Sequence, residues 1–258
     1  MGILKHPPYS TFKITSVDNP RCRIELLRRS LSTNFTAMTK VVSFINRKGG
    51  TGKTTSAINT ATALRQMGFE VTLMETDTNY SLSHVRNKEL ATTGEGGGKF
   101  PDLMQTEEET AEKLIKAFRK NMIDFVIVDG AANMSGDAIR RISANSDAVI
   151  VPTSLSEIEQ MVTERTLNDI LPVMQTHRKL KVALLANRIH FLTAQETVQG
   201  ALGHLNVPIL DIYIPNYKQY TYLNTQNPAD CYRSVANCIL KLFVDEPAMV
   251  REMEELSV

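Results

Sequence analysis

Residues 48–55 read Lys-Gly-Gly-Thr-Gly-Lys-Thr-Thr, and a run of this kind fits very few surroundings. Its glycines permit a tight turn and a close approach to the backbone that a side chain would block. Before it, residues 41–45 are Val-Val-Ser-Phe-Ile, an apolar, β-rich segment that reads as a buried strand. After it, residues 54–66 carry Ala57, Ile58, Ala61 and Leu64 at helical spacing, and Gly68 follows as a stop signal. Strand, glycine-rich turn and helix together form the arrangement in which backbone N–H groups and a helix N-terminus converge on phosphate. The chemistry expected of the loop spreads over Lys48, Gly49, Gly50, Thr51, Gly52, Lys53, Thr54 and Thr55. Lys53 would reach the β- and γ-phosphates, and the Thr54 hydroxyl would ligate Mg2+. The usual first glycine of such a loop is replaced by Arg47 or Lys48, so the loop is a variant.

The rest of the chain supplies a matching scaffold. Apolar strand-like runs recur at 71–74, 125–128, 148–151, 182–185 and 209–214, separated by amphipathic stretches such as 107–120, 156–175 and 230–244. That alternation predicts an α/β fold: a mostly parallel twisted sheet with helices on both faces, joined by right-handed crossovers. Ligands in such sheets bind at the carboxyl ends of the strands. The run Phe125-Val126-Ile127-Val128 ends in Asp129, an acid placed to hold a Mg2+ shell through water. Residues 91–101, with a glycine cluster at 94–98, read as a flexible surface loop without a strand.

With 258 residues the chain can bury one full α/β core but not comfortably two. A formal net charge of +1 excludes a uniformly basic nucleic-acid binder while leaving room for a local patch. Cys22, Cys231 and Cys238 form no C-x-x-C pair, which disfavours a metal or iron–sulfur site and suits a reducing cytoplasm. No apolar stretch is long enough to span a bilayer. The expected division is an N-terminal extension over 1–37 and a phosphate-loop domain over 38–258. The extension carries Arg21, Arg23, Arg28 and Arg29, and reads either as a disordered leader or as a short helix over 24–31 that touches DNA or a partner.

The octapeptide resembles the deviant Walker A signature of the ParA/MinD ATPases, in its ParA-like branch. The resemblance implies a P-loop NTPase fold and an ATP-sandwich homodimer in which Lys48 reaches the partner's nucleotide. A cation delivered to a transferring phosphate stabilises its transition-state charge, as an arginine finger does. The segment Glu75-Thr76-Asp77-Thr78-Asn79 is similar to the family's D-x-D-P-Q run, with Glu75 for the first acid and Thr78-Asn79 for Pro-Gln. By that match Asp77 orients the attacking water, with an Asx-turn as the competing explanation. The catalytic set is then Lys48, Lys53 and Asp77, and the metal set Thr54 and Asp129. Gly130-Ala131-Ala132-Asn133 occupies the family's switch region without its prolines. Asn187 and Arg188, expected just after a strand, match positions that meet adenine, and Pro215 matches a turn that packs on the base. Val151-Pro152-Thr153-Ser154 fits a post-strand segment near the dimer face.

The family's branches differ in what they position. A membrane-positioning, MinD-like member needs a basic amphipathic C-terminus, whereas residues 245–255 are acidic. An ATP-dependent ligase of the dethiobiotin-synthetase type normally lacks the early lysine. The resemblance therefore favours a cytoplasmic, nucleoid-associated ATPase that binds DNA without sequence preference and responds to an adaptor protein. Candidate DNA contacts are Arg188, Lys218, Arg233 and Lys241.

Overall fold

A computed structural model of the chain describes residues 39–77, 81–93, 102–119, 123–221 and 230–243. The extension over 1–37, the acidic segment over 245–255, Thr78 and Asn79 lie outside these described residues. Seven strands form one sheet in the order β3-β2-β4-β1-β5-β6-β7, and every neighbouring pair is parallel. They are β1 (Lys40–Phe44), β2 (Val71–Glu75), β3 (Asp102–Gln105), β4 (Phe125–Asp129), β5 (Ala148–Thr153), β6 (Lys181–Ile189) and β7 (Ile209–Pro215). The helices are α1 (Lys53–Gln66), α2 (Ser81–Thr93), α3 (Glu108–Phe118), α4 (Gly136–Ala144), α5 (Glu157–Thr176), α6 (Gln195–Leu202) and α7 (Asp230–Leu242).

Both faces of the sheet are covered, which is why its central strands are continuous apolar runs. Because side chains alternate across a strand, Val41, Val126, Val128, Val149 and Val151 face one layer with Ala111 and Ile115 of α3, Ile139 of α4 and Ile170 of α5. The opposite parity faces α1, which packs on β1, β2 and β4 and against α7. Residues 56–64 of α1 are buried on every side, so small Ala57, Ala61 and Ala63 let sheet and helix approach closely. Ser56 meets the buried Tyr232 hydroxyl of α7 at 3.2 Å.

Several expectations need correction. A seventh strand, β3, lies at 102–105; it is a four-residue edge strand with exposed ends, so it lacks the apolar continuity of the central strands. Residues 91–93 belong to α2 rather than to a loop, and 94–101 lie outside the described residues. β6 is longer than its apolar run, so Asn187 and Arg188 sit inside its carboxyl end instead of following it. Pro152 and Thr153 likewise close β5 rather than leaving it.

Candidate functional site

The site lies at the carboxyl edge of β1, where β1 is flanked by β4 and β5. Asn46, fully buried, fixes the start of the loop: its amide donates to the Pro152 carbonyl at 2.9 Å and to Thr163 Oγ1 at 3.0 Å. Its carbonyl oxygen accepts the Lys48 N–H at 3.0 Å. The Arg47 N–H donates to Thr166 Oγ1 at 3.2 Å, tying the loop to α5. Gly50 and Gly52 turn through the left-handed region, at φ of 74° and 97°, where a side chain would be strained. Gly52 caps α1, and a Cβ there would fall 1.9 Å from Asn187 Nδ2. That amide donates to the Thr51 carbonyl at 2.7 Å. The base contact expected of Asn187 is therefore preceded by a bond that braces the loop from β6.

Lys53, at the first position of α1, is buried, and its ammonium donates to the Lys48 carbonyl at 3.0 Å. Burial lowers its pKa, opposed by the charges of Asp129 and Asp77. Asp129 ends β4 beside it, 1% exposed, with neither carboxylate oxygen hydrogen-bonded. Burial pushes its pKa up to about 7, while the Thr54 hydroxyl and the Lys53 charge pull the other way. A buried carboxylate with two unmet oxygens next to a threonine hydroxyl fits a hard divalent cation such as Mg2+.

The end of β2 is stitched to this strand. Thr76 Oγ1 donates to the Asp129 carbonyl at 2.8 Å and accepts the Ala131 N–H at 3.1 Å. Asp77 follows, close enough to act on Lys53, with its carboxylate 3.5 Å from the Ala132 N–H. Glu75 is wholly buried and bonded to the start of α2. It accepts the Leu82 N–H at 2.8 Å and the Ser83 hydroxyl at 3.0 Å, so it caps α2. Gly130 leaves little room for a side chain, since a Cβ would meet the Phe44 carbonyl at 2.8 Å.

Lys48 is half-buried, and its ammonium lies 3.6 Å from Glu159 Oε1 on α5. The same oxygen accepts a hydrogen bond from Arg188 Nη2. Arg188 is thus committed to an ion pair beside the loop, whether or not it also serves a base or DNA. Next to it, Asp169 joins Arg47, at 2.6 Å, with Arg140, at 3.1 Å. Among the other DNA candidates, Arg233 donates to Gln66 at 2.7 Å. Pro215 closes β7, paired with Ile189 of β6, and lines a cavity of about 360 Å3 with Phe191, Tyr213 and Tyr217. The fold therefore brings Lys48, Lys53, Thr54, Asp77, Asp129, Asn187 and Arg188 to one edge. Sequence reasoning missed Asn46, Thr76, Glu159 and Asp169. Only Glu159 carried a signal, as an acid in the first turn of a helix.

Comparison with known proteins finds relatives by sequence and by fold. The profile of the VirC1 protein family matches residues 39–228. Maintenance of carboxysome distribution protein A of Gloeobacter kilaueensis is 28% identical over 185 residues, covering 70% of this chain and 79% of that protein. Protein virC1 of Rhizobium rhizogenes is 26% identical over 175 residues, covering 65% and 74%. Among solved structures, cobyrinic acid a,c-diamide synthase of Mycobacterium smegmatis with bound ADP and magnesium superposes with a TM-score of 0.62. It is 21% identical, covers 80% of this chain and is itself 96% covered, so it attests the fold.

Proposed function

Since the chain belongs to the VirC1 protein family, within the ParA/MinD group of deviant Walker A ATPases, we propose that it is an ATP-switched positioning ATPase. In this reading it binds ATP with Mg2+, forms a homodimer, holds DNA without sequence preference, and hydrolyses ATP slowly until an adaptor protein stimulates it. It works in the cytoplasm over the nucleoid, moving a plasmid, chromosome or protein cargo. The observation that carries the reading is the pairing of an orphaned, buried Asp129 with Lys53 and Thr54 at one loop, with Lys48 at its front edge.

Each residue then has a task. Backbone N–H groups from Gly49 to Thr55 cradle the phosphates, and Lys53 exchanges the Lys48 carbonyl for a phosphate oxygen. Thr54 and Asp129 would hold Mg2+, which neutralises charge between the phosphates. Asp77 orients the attacking water at the end of β2. Lys48 supplies its charge to the nucleotide of the second copy, which makes hydrolysis conditional on pairing. Exposed Ile158 and Met161 on α5, 67% and 57% accessible, mark the face that the second copy would cover.

Two relatives by name bear on cargo and chemistry. The carboxysome distribution protein supports a positioning role, and the synthase keeps an ATP-dependent ligase as the second reading. Among the described residues no helix is long and apolar enough to cross a membrane.

Filter binding to random-sequence DNA with ATP, with ADP and without nucleotide tests the proposal. Retention only with ATP, lost at high salt, is expected from phosphate neutralisation. No retention in any state refutes the DNA role. Lys48→Ala should keep ATP affinity and lose hydrolysis, whereas Lys53→Ala should lose nucleotide binding. Equal turnover by wild type and Lys48→Ala refutes a trans-acting lysine.

A further inference from the structure

Lys48 has a partner on its own chain that its proposed role requires it to leave. Glu159 lies at the start of α5 with its side chain only 7% exposed, yet it is charged. Burial opposes its ionisation, but the Arg188 and Ser154 hydrogen bonds and the charges of Arg188 and Lys48 outweigh that and hold its pKa below the usual value. Its Oε2 accepts the Ser154 N–H at 3.2 Å, and its Oε1 is shared by Arg188 and Lys48. The two cations are held unequally. Arg188 makes a direct hydrogen bond, whereas the Lys48 ammonium stands at 3.6 Å.

We propose that Glu159 is a positioning residue that parks the Lys48 side chain on its own protomer and yields it when two ATP-bound copies pair. The proposal rests on the trans-acting role of Lys48 given above. One ammonium serves two anionic sites, the Glu159 carboxylate in cis and the partner's phosphates, and it cannot serve both at once. Only the side chain is free to choose, because the Lys48 N–H is fixed on Asn46 and its carbonyl accepts from Lys53. Departure strands no buried charge, since Arg188 and the Ser154 N–H remain on Glu159. Arg188 therefore makes the parking reversible. Without it, Lys48 would be the sole cation of a buried carboxylate and costly to remove.

Glu159→Gln keeps an acceptor for Arg188 and removes the charge that holds Lys48. A pair at 3.6 Å whose lysine is partly exposed is weak, but each dimer opens two of them, so ATP-dependent self-association should tighten by roughly three- to thirtyfold. Sedimentation velocity with ATP and Mg2+ reads this directly. The gain should vanish when Lys48→Ala is added, because Glu159 acts through that residue. Arg188→Met should act in the opposite sense and weaken association several-fold, with ATP affinity measured separately to exclude a lost base contact. Unchanged or weaker association in Glu159→Gln overturns the proposal, as does a gain that survives in the Lys48→Ala background. If Glu159→Gln does not fold, Arg188→Met decides alone, and unchanged or tighter association overturns it. Failure of the trans-lysine reading shows separately, as hydrolysis by Lys48→Ala itself.

Discussion

Asp129 makes the stability of the nucleotide-free protein depend on pH in an unusual direction. Its carboxyl is buried without a hydrogen-bond partner and its pKa stands at about 7, against 3.8 for an ordinary aspartate. The folded chain thus keeps a proton that the unfolded chain has released, so stability falls as pH rises. The sign is that of a raised acid: the full contribution is present below about pH 4, is lost through the window up to about 7, and is constant above it. At about 1.4 kcal/mol per unit, the site costs about 4 kcal/mol at pH 8, and roughly 2–3 kcal/mol of that is recovered at pH 5. Asp129→Asn is isosteric and does not titrate. Urea unfolding of both proteins at pH 5, 6, 7 and 8 should show their difference in stability changing by that amount, about 1 M in midpoint. Groups with lowered pKa values, such as Glu159, titrate in both proteins and cancel in the difference. With saturating ATP and Mg2+ the part of the wild-type slope that Asp129 adds should collapse, because a bound cation keeps the carboxylate ionised. Parallel pH profiles for wild type and Asp129→Asn would refute the argument that this acid is buried, unpaired and shaped for a cation.

Three further outcomes follow from the site and its surroundings. Asp77→Ala should retain ATP-dependent dimerisation while turnover falls by about a hundredfold or more, measured by phosphate release; unchanged turnover would leave Asp77 as a plain turn residue. Gly130→Ala should lower stability by about 1–3 kcal/mol, because the new Cβ meets the β1 backbone at Phe44. At Gly136 the same change meets the side-chain ends of Asp169 and Arg47, which can shift, so its thermal midpoint should fall less.

The fold was legible wherever burial on both faces left an uninterrupted apolar run, as at β1, β4 and β5. It was illegible at β3, a four-residue edge strand with both ends exposed, and at α2, which is held by a cap from Glu75 rather than by a strong apolar stripe. The same residue shows where motif matching alone falls short. Glu75 aligns with a site acid, yet its carboxylate is spent on the Leu82 N–H and the Ser83 hydroxyl. Lys53, Thr54 and Asp129 could be placed because a strand end and a helix start fix them locally. Glu159 could not, since nothing in residues 156–160 reveals that a lysine more than a hundred positions earlier lies 3.6 Å away.

That long-range link also explains how a contact between copies could reach the phosphates. Helix α5 presents two stripes at its N-terminal end. Ile158 and Met161 face outward, and Glu159, Thr163 and Thr166 face the loop. Thr163 bonds Asn46, Thr166 bonds Arg47, and Glu159 pairs with Lys48, so three successive loop residues are held by one helix. From the other side Asn187 grips Thr51, and the Asn133 N–H grips the Arg47 carbonyl at 3.0 Å. A loop pinned from α5, β6 and the end of β4 has little freedom of its own. Covering the outer stripe of α5 would therefore act on the loop through the helix as a whole, and the Lys48 side chain, bound least tightly, is the part able to respond.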